Sequence, residues 1–408
     1  MAGSASGGAV TLAYVEETTR GTTPGAPTLK YLRNLTRDLN LEVNELVSEE
    51  IRASGMESDV RSGTNEVTGT IRYELSLTSH DDFMALALRA GLPSTAWNTP
   101  GTGSTGGTGW AVDGTAKTFT FADGGLAAAG YRAGQTFTSG SFTNAANNDS
   151  GFLIVSATDT VLTVVEPAGV TLITESADTD ATVDPLEDYI DYAKDLHTVT
   201  IERRFEDLDT PEYQPFLGVG VDQWTMSISP EAIIGGTFTL RGMSSTAMTQ
   251  TPLDATPTPA PTNSPFASFE GVIYEAGGAS SVVTEASFTI NNNLSTRAVI
   301  GSKFSPDLYQ GTGQCTGTLS VFFEDDASTH SSGAELYNKF FNETESQVML
   351  KLDDPNGSDY IALWFSRLKF TSVPIDVPPE GPVILTVNFR ALESTNFGTT
   401  LTVVRSNT

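Results

Sequence analysis

Val67-Thr68-Gly69-Thr70-Ile71-Arg72-Tyr73-Glu74-Leu75 alternates apolar and polar side chains, so Val67, Gly69, Ile71, Tyr73 and Leu75 share one face of an extended strand. The pattern returns at Cys315-Thr316-Gly317-Thr318-Leu319-Ser320-Val321-Phe322-Phe323, with Cys315, Gly317, Leu319, Val321 and Phe323 on the apolar face. Each stretch predicts a strand buried on one side. A short amphipathic helix follows each. In the first copy Ser79 reads as the N-cap with Asp82 three positions on, and Phe83, Leu86 and Ala87 form a stripe ending at Gly91. In the second, Ser332 precedes Glu335 by three, and Leu336, Phe340 and Phe341 supply the stripe. The chain carries a duplication.

The copies also end alike. Thr198 to Ile201, Trp224 to Ile228 and Thr237 to Gly242 close the first, as Val348 to Leu352, Leu363 to Phe370 and Val383 to Phe389 close the second. About 170 residues separate Gly69 from Phe238 against about 67 from Gly317 to Ile384, so roughly a hundred are inserted into the first copy. The insertion starts in low-complexity sequence, Asn98 to Gly109, too rich in Gly, Thr and Ser to bury much. It then offers short strands at Phe119 to Phe121, Gly134 to Thr138, Gly151 to Val155 and Val161 to Val165, with a turn at Asn147-Asn148-Asp149. These predict a small β-barrel or sandwich on the outside of the main body.

Upstream of Val67, strands are expected at Val10 to Val15, Thr28 to Tyr31 and Leu39 to Val47, the last with Leu39, Leu41 and Val43 alternating against Asn40, Glu42 and Asn44. Ser48 to Glu66 is polar and charge-mixed, an exposed loop or extended hairpin arm of the length used for contacts. Thr251 to Pro265 carries Pro252, Pro257, Pro259, Pro261 and Pro265 and reads as a semi-rigid linker at about 3.1 Å per residue. The expected division is a discontinuous first domain over 1–95 and 186–250, an inserted β-domain over 96–185, the linker over 251–265 and a second domain over 266–408. Short apolar runs, recurrent turn signals and abundant Gly, Thr, Ser and Pro make the fold class all-β.

Across 408 residues, 50 acidic side chains oppose 22 basic ones, a formal charge of −28. A polyanion meets a repulsive field of several kT at such a surface. The longest basic cluster is Arg203-Arg204, too little for the counterion release that tight nucleic-acid binding needs. The start, Met1 to Gly8, lacks the charged and apolar regions of a signal peptide, and no run of about 18 apolar residues offers a membrane span. A soluble protein of a reducing compartment is expected, without a membrane partner. The single cysteine, Cys315, excludes an intrachain disulfide and falls on a buried strand face as a small hydrophobe.

Candidate chemistry is sparse. His80, His197 and His330 lack the spacing that offers a metal two ligands, and His80 and His330 are expected at the surface or as caps beside helix starts. Asp353-Asp354-Pro355-Asn356-Gly357-Ser358-Asp359 is rich in oxygen ligands for calcium but lacks EF-hand spacing, and Pro-Asn-Gly between apolar strands reads first as a hairpin turn. Glu324-Asp325-Asp326 and Glu49-Glu50 are read the same way. No nucleophile elbow, phosphate loop or dinucleotide fingerprint occurs, and Gly101-Thr102-Gly103 follows no strand. No catalytic, cofactor-binding or metal site is expected, and no enzyme.

In order, these features resemble the tail tube (major tail) proteins of long-tailed bacteriophages, of the type with two tube domains in tandem. The resemblance is carried by Tyr14 to Pro24, Leu32-Arg33-Asn34, Ser48 to Arg52, the Val67 strand with Glu74-Leu75 and Asp81-Asp82-Phe83, then Ile290 to Leu294, the Gly317 strand and Val387-Asn388-Phe389-Arg390-Ala391. It covers most of the chain outside residues 96–185. Within those, Gly140 to Asn148 followed by Gly151-Phe152 resembles a decorating module of similar tail proteins.

The resemblance implies two β-sandwich or half-barrel domains with one flanking helix each, whose sheets join around a ring lining a DNA channel. Six domains per ring would need three chains, a trimer of pseudo-six-fold symmetry, with a hexamer as second choice. It implies a structural virion protein assembled in the host cytoplasm, meeting tape measure, tail terminator and distal tail proteins, with DNA passing a negatively lined lumen without specific binding. The arms Ser48 to Glu66 and Ser302 to Gln314 would reach the next ring. Two alternatives stand beside it. One is a distal or terminator ring protein that caps the tube. The other is a surface-binding or carbohydrate-binding adhesin using Trp97, Trp110, Trp224 and Trp364 as a platform, although Trp224 and Trp364 fall in strands where burial is expected.

Overall fold

Both copies of the alternating strand lie at the centre of one large antiparallel sheet in the computed structural model, which describes residues 4–54, 56–91, 93–101, 108–280, 283–324, 332–355, 357 and 359–406. The first copy begins with β1 (Thr11–Glu17), β2 (Lys30–Tyr31), β3 (Asp38–Val47), β4 (Val60–Glu74) and helix α1 (Asp81–Ala87). Seven short strands form the insertion: β5 (Trp110–Asp113), β6 (Thr118–Phe121), β7 (Thr136–Gly140), β8 (Ser150–Ala157), β9 (Val161–Val165), β10 (Glu175–Asp178) and β11 (Thr182–Pro185). The first copy resumes with β12 (Asp188–Asp191), β13 (Thr198–Phe205), β14 (Glu212–Ile228), β15 (Gly235–Gly242) and β16 (Ser244–Ser245). The second contains β17 (Gly271–Glu275), β18 (Gly278–Ser280), β19 (Val283–Asn291), β20 (Gln314–Phe322), α2 (Gly333–Phe341), β21 (Ser346–Asp353), β22 (Tyr360–Ser372), β23 (Ile375–Asp376), β24 (Ile384–Ala391) and β25 (Thr402–Arg405).

Strand pairing shows how far the duplication extends. β4 lies between β3 and β15, and β20 between β19 and β24. From β15 the ladder runs through β14, β13 and β1 to β2; from β24 it runs through β22, β21 and β17 to β18. Even the irregularities repeat. Gly69 faces Leu240 and Gly317 faces Phe389, and the ladder slips one residue further on, between Val221 and Gln223 in one copy and Phe370 and Ser372 in the other. The two glycines are required by close approach: a Cβ at Gly69 would meet the Asp38 carbonyl oxygen at 1.9 Å, and one at Gly317 the Phe389 ring at 2.2 Å.

One apolar core underlies both repeats, built from alternate strand residues such as Ile71, Trp224, Phe238, Leu319, Val387 and Phe389 and roofed by Phe83 and Leu86 of α1 and Leu336 of α2. Tyr73 stacks on Phe238 at 4.6 Å, and Trp224 meets Phe288 of the other repeat edge-on at 5.0 Å. The second helix starts as the sequence predicts, the Glu335 N–H donating to the Ser332 hydroxyl. The first does not. His80 occupies its N-cap position without a side-chain bond to the helix, while the Ser79 hydroxyl is held by Ser76; Asp81 and Asp82 supply negative charge to the first turn instead. Three residues of the expected apolar faces are exposed. Phe323 lies one residue past the end of β20, and Phe341 ends α2, where the helix has run off the sheet. In β3 Leu39 is buried but Val43 is exposed, because the hairpin with β4 continues past the core.

The insertion is richer than its sequence implies. Its strands form a separate seven-stranded sheet in the order β10-β5-β6-β9-β8-β7-β11, a curled half-barrel around Trp110, Phe119, Phe137 and Phe152. The same apolar cluster takes in Tyr274, Met349 and Trp364, so the module is seated on the second repeat. The Pro-rich segment 251–265 is laid against the first repeat: the Tyr31 N–H donates to the Thr258 carbonyl, Leu253 N–H to the Glu202 carboxylate, and Arg204 to the Asp254 carbonyl.

Candidate assembly surface

The repeats are joined by a ladder between β14 and β19, in which Gln223, Trp224, Thr225, Met226, Ser227 and Ile228 face Asn291, Ile290, Thr289, Phe288, Ser287 and Ala286. The Asn292 N–H extends it to the Asp222 carbonyl at 2.7 Å. Backbone groups of alternate residues point the same way along a strand, so Ile290 and Phe288 bond across this seam while Thr289 and Asn291 bond back to β20.

Each partner in that ladder has a duplicate that, among the described residues, has no strand on its other edge. The shared register makes Asp38 to Glu42 of β3 the counterparts of Ser287 to Asn291, and Ser372 to Val377 the counterparts of Gln223 to Ile228. Among the described residues β3 pairs with β4 alone, and the stretch after Ser372 pairs with β24 alone. Ile375 and Val377 are exposed, whereas their counterparts Met226 and Ile228 are buried beneath the seam. Pro374 does not close this edge: its carbonyl accepts from the Thr386 N–H of β24, so the backbone groups of Val373 and Ile375 point outward.

The sheet face opposite the helices is polar over both repeats. Thr68, Thr70, Thr237, Thr239, Thr225, Thr289, Thr316, Thr318 and Asn388 follow one another across it. Its Arg241 is paired with Glu66 and lies 3.7 Å from Asp222. Hydroxyls and amides share this face with Arg72 in the first repeat and with Arg390 and Lys369, which lie opposite each other, in the second. From this face the segment after β19 folds back over the first repeat: Leu294 and Leu308 close on Leu196 and Met243, and Asn65 N–H donates to the Lys303 carbonyl. Ser302 to Gln314 thus has a seat within its own chain.

The candidates for chemistry disperse. His80 is a core residue, 1% exposed, set against the Tyr73 ring at 4.7 Å with Nε2 2.9 Å from the Arg33 carbonyl oxygen. Burial pushes its imidazole down to about 4. The surface role expected for it is wrong because the chain before α1 turns inward over Tyr73. Burial also lowers His197; His330 lies outside the described residues. Burial pushes the Cys315 thiol up to about 12, as suits an inert core cysteine. Lys351 binds Asp353, and Asp354 N–H donates to the Asp359 carbonyl in the turn between β21 and β22; Asn356 and Ser358 lie outside the described residues. Glu50 accepts from Arg52 on the exposed arm, while Asp325 and Asp326 are again outside. Among the described residues no three His, Cys, Asp or Glu side chains could hold a metal ion. Trp110, Trp224 and Trp364 are buried and Trp97 lies under Arg405 at 4.1 Å, which leaves no aromatic platform among them. No helix among the described residues is long and apolar enough to cross a membrane.

The open edges were not legible in the sequence, since a strand's apolar alternation is the same whether or not a neighbour lies beside it. Comparison with curated proteins gives no match. The family described as phage tail tube protein matches residues 7–391, and with the duplicated all-β architecture this establishes that the chain belongs to the phage tail tube family, structural proteins of the bacteriophage virion tail.

Proposed function

We propose that copies of the chain join head to tail, β3 of one pairing with Ser372 to Val377 of the next, and that the resulting rings stack into the tail tube. The observation that carries this is the β14–β19 seam, which already makes the contact once inside the chain and leaves one open copy of each half. Transferred to two chains, its register sets Leu41 opposite Val373 and Leu39 opposite Ile375. A heterologous contact either closes into a ring or continues as a helix; two equivalent steps per chain make three chains the natural complement of a six-step ring, with six chains the second choice.

In this reading residues 1–95 with 186–250, and residues 266–408, are the tandem tube domains, 96–185 the decoration and 251–265 the connection. The exposed backbone edges, a liability in a monomer, become the polymerising surface. A charge of −28 and a hydroxyl-rich sheet face keep DNA moving through the lumen without holding it. Assembly takes place in the host cytoplasm, and the tube ends meet tape measure, terminator and distal tail proteins. Negative-stain electron microscopy of the purified chain at rising concentration tests the proposal. Hollow tubes with a regular axial repeat support it; single rings that never stack favour a capping protein, and persistent monomers sink it.

A further inference from the structure

The arm at the β3–β4 hairpin has a twin that shows where it binds. Gly63-Thr64 before β4's Thr-Gly-Thr corresponds to Gly311-Thr312 before that of β20, which makes Val60 the counterpart of Leu308, Asp59 of Asp307 and Met56 of Phe304. From the other end, counting from Leu41 and Ile290 sets Leu294 against Glu45, with Leu46 the neighbouring apolar residue; the extra residue of the arm hairpin lies in β4, where Asn65 to Ser62 faces Val43 to Glu45. The apolar residues of the two segments differ in burial. Leu308 and Leu294 are 1% and 5% exposed, packed with Leu196 and Met243 of the first repeat, whereas Val60 and Leu46 are 49% and 55% exposed.

The seat is duplicated as well. Segment 294–308 rests on Asn65, Glu66 and Met243: Asn65 N–H donates to the Lys303 carbonyl and the Thr296 hydroxyl to Glu66. By the shared register the same positions in the second repeat are Gly313, Gln314 and Leu392. There the structure has an open cavity of about 660 Å³, lined also by Tyr192, Arg390 and Thr399. Arg390, the counterpart of Arg241, bonds neutral Gln314 at 3.3 Å where Arg241 holds Glu66.

Charge selects the occupant. The seated segment carries Arg297 and Lys303 against Asp307, over a patch containing Glu66 and Asp222. The exposed arm has the opposite sign, with Glu45, Glu49, Glu50, Glu57 and Asp59 against Arg52 and Arg61. The empty seat is more basic: Arg390 and Lys369 stand in the positions of Arg241 and Gly220, Lys194 and Glu393 also line the cavity, and Arg367, in the position of Gly218, is held by Glu345. We infer that the arm of one copy, Leu46 to Val60, docks into the Leu392–Arg390 groove on the second repeat of the adjacent copy in the same ring. Leu46 and Val60 fill the apolar end and the arm's carboxylates face Arg390 and Lys369. The inference rests on the ring reading above and redirects the arm, which the family resemblance points toward the next ring.

The test is a cysteine pair, Val60→Cys with Leu392→Cys, in a Cys315→Ala background, oxidised after assembly and compared with each single variant. Microscopy first confirms rings, which separates the two readings. Expected is a covalent ladder in denaturing gels that ends at the ring's chain number, forms in isolated rings and needs both cysteines. Assembled rings without cross-links overturn the docking while leaving the ring intact, and cross-links found only in stacked tubes overturn it in favour of contact between rings. Failure of the parent background to assemble removes the ring, and the docking with it. As a second measurement, Arg390→Glu should weaken assembly and Glu57→Arg with Asp59→Arg should restore it; no rescue counts against the charge pairing.

Discussion

Trp224 of the first repeat lies directly opposite Ile290 of the second, and the residues in the same two positions of the other copies, Val373 and Leu41, sit on open edges. A single contact is thus made once and offered once more. The N–H of Leu41 points to the open side, as that of Ile290 points to Trp224, so Leu41→Pro removes a donor needed only between chains. Leu41→Pro should melt close to the parent and fail to lengthen into tubes. Asn40→Pro strikes the β3–β4 ladder instead and should lose about 1–3 kcal/mol of stability. Circular dichroism melting and electron microscopy of the two variants check this; tubes of normal length from Leu41→Pro would refute the edge pairing.

Within the core, Trp224 depends on one hydroxyl. Its Nε1 donates to the Tyr73 hydroxyl at 2.5 Å, and both side chains are fully buried. Burial also raises the Tyr73 phenol, which stays protonated. Tyr73→Phe preserves the stack on Phe238 but strands the indole N–H, a loss of about 1–3 kcal/mol. Chemical denaturation should show it as a lower midpoint with an unchanged slope; an unchanged midpoint would mean that water reaches the indole.

Glu17 ties β1 to two other strands. Its buried carboxylate accepts from the N–H groups of Gly21 and Gly218 and from the hydroxyls of Thr198 and Thr200. Glu17→Ala removes this acceptor from the Gly21 and Gly218 N–H groups and the Thr198 hydroxyl, while the Thr200 hydroxyl keeps Thr23 beside it, and the expected loss is about 3–5 kcal/mol. Thermal melting of this variant beside Glu16→Ala, on the half-buried side of β1, separates the cluster from a general effect of lost charge. Equal melting temperatures would contradict it.

The sequence exposed what depends on period and spacing. Thr68-Gly69-Thr70 and Thr316-Gly317-Thr318 marked the duplicated strands because a close neighbour forbids a Cβ there, and Ser332 with Glu335 marked α2 because a capping bond needs that spacing. Ser79 misled because the same spacing to Asp82 occurs beside a helix whose N-cap is His80. His80 itself looks polar in sequence, and only the turn that sets it on Tyr73 makes it a core residue. The assembly surface was least visible. Ile375 and Val377 are apolar like any strand residue, and their exposure emerges only when the duplicate seam shows what is missing beside them.

The buried imidazole gives the fold a pH response that belongs to one residue. His80 Nε2 carries the proton shared with the Arg33 carbonyl, while Nδ1 is buried without a hydrogen-bond partner. A second proton would place a charged donor in the core with no acceptor. Burial therefore holds the folded pKa near about 4, below the ordinary 6.5 of the unfolded chain. Between these values the unfolded state binds more protons, so the stabilising contribution is complete above about pH 6.5 and is lost as pH falls toward 4, about 3 kcal/mol in all. His80→Gln keeps a donor for Arg33 and cannot titrate. The difference in unfolding free energy between parent and His80→Gln, measured by denaturant titration, should fall by that amount from pH 7 to 4. A difference that stays flat across the range would show that His80 takes up its proton as freely in the folded chain as in the unfolded one.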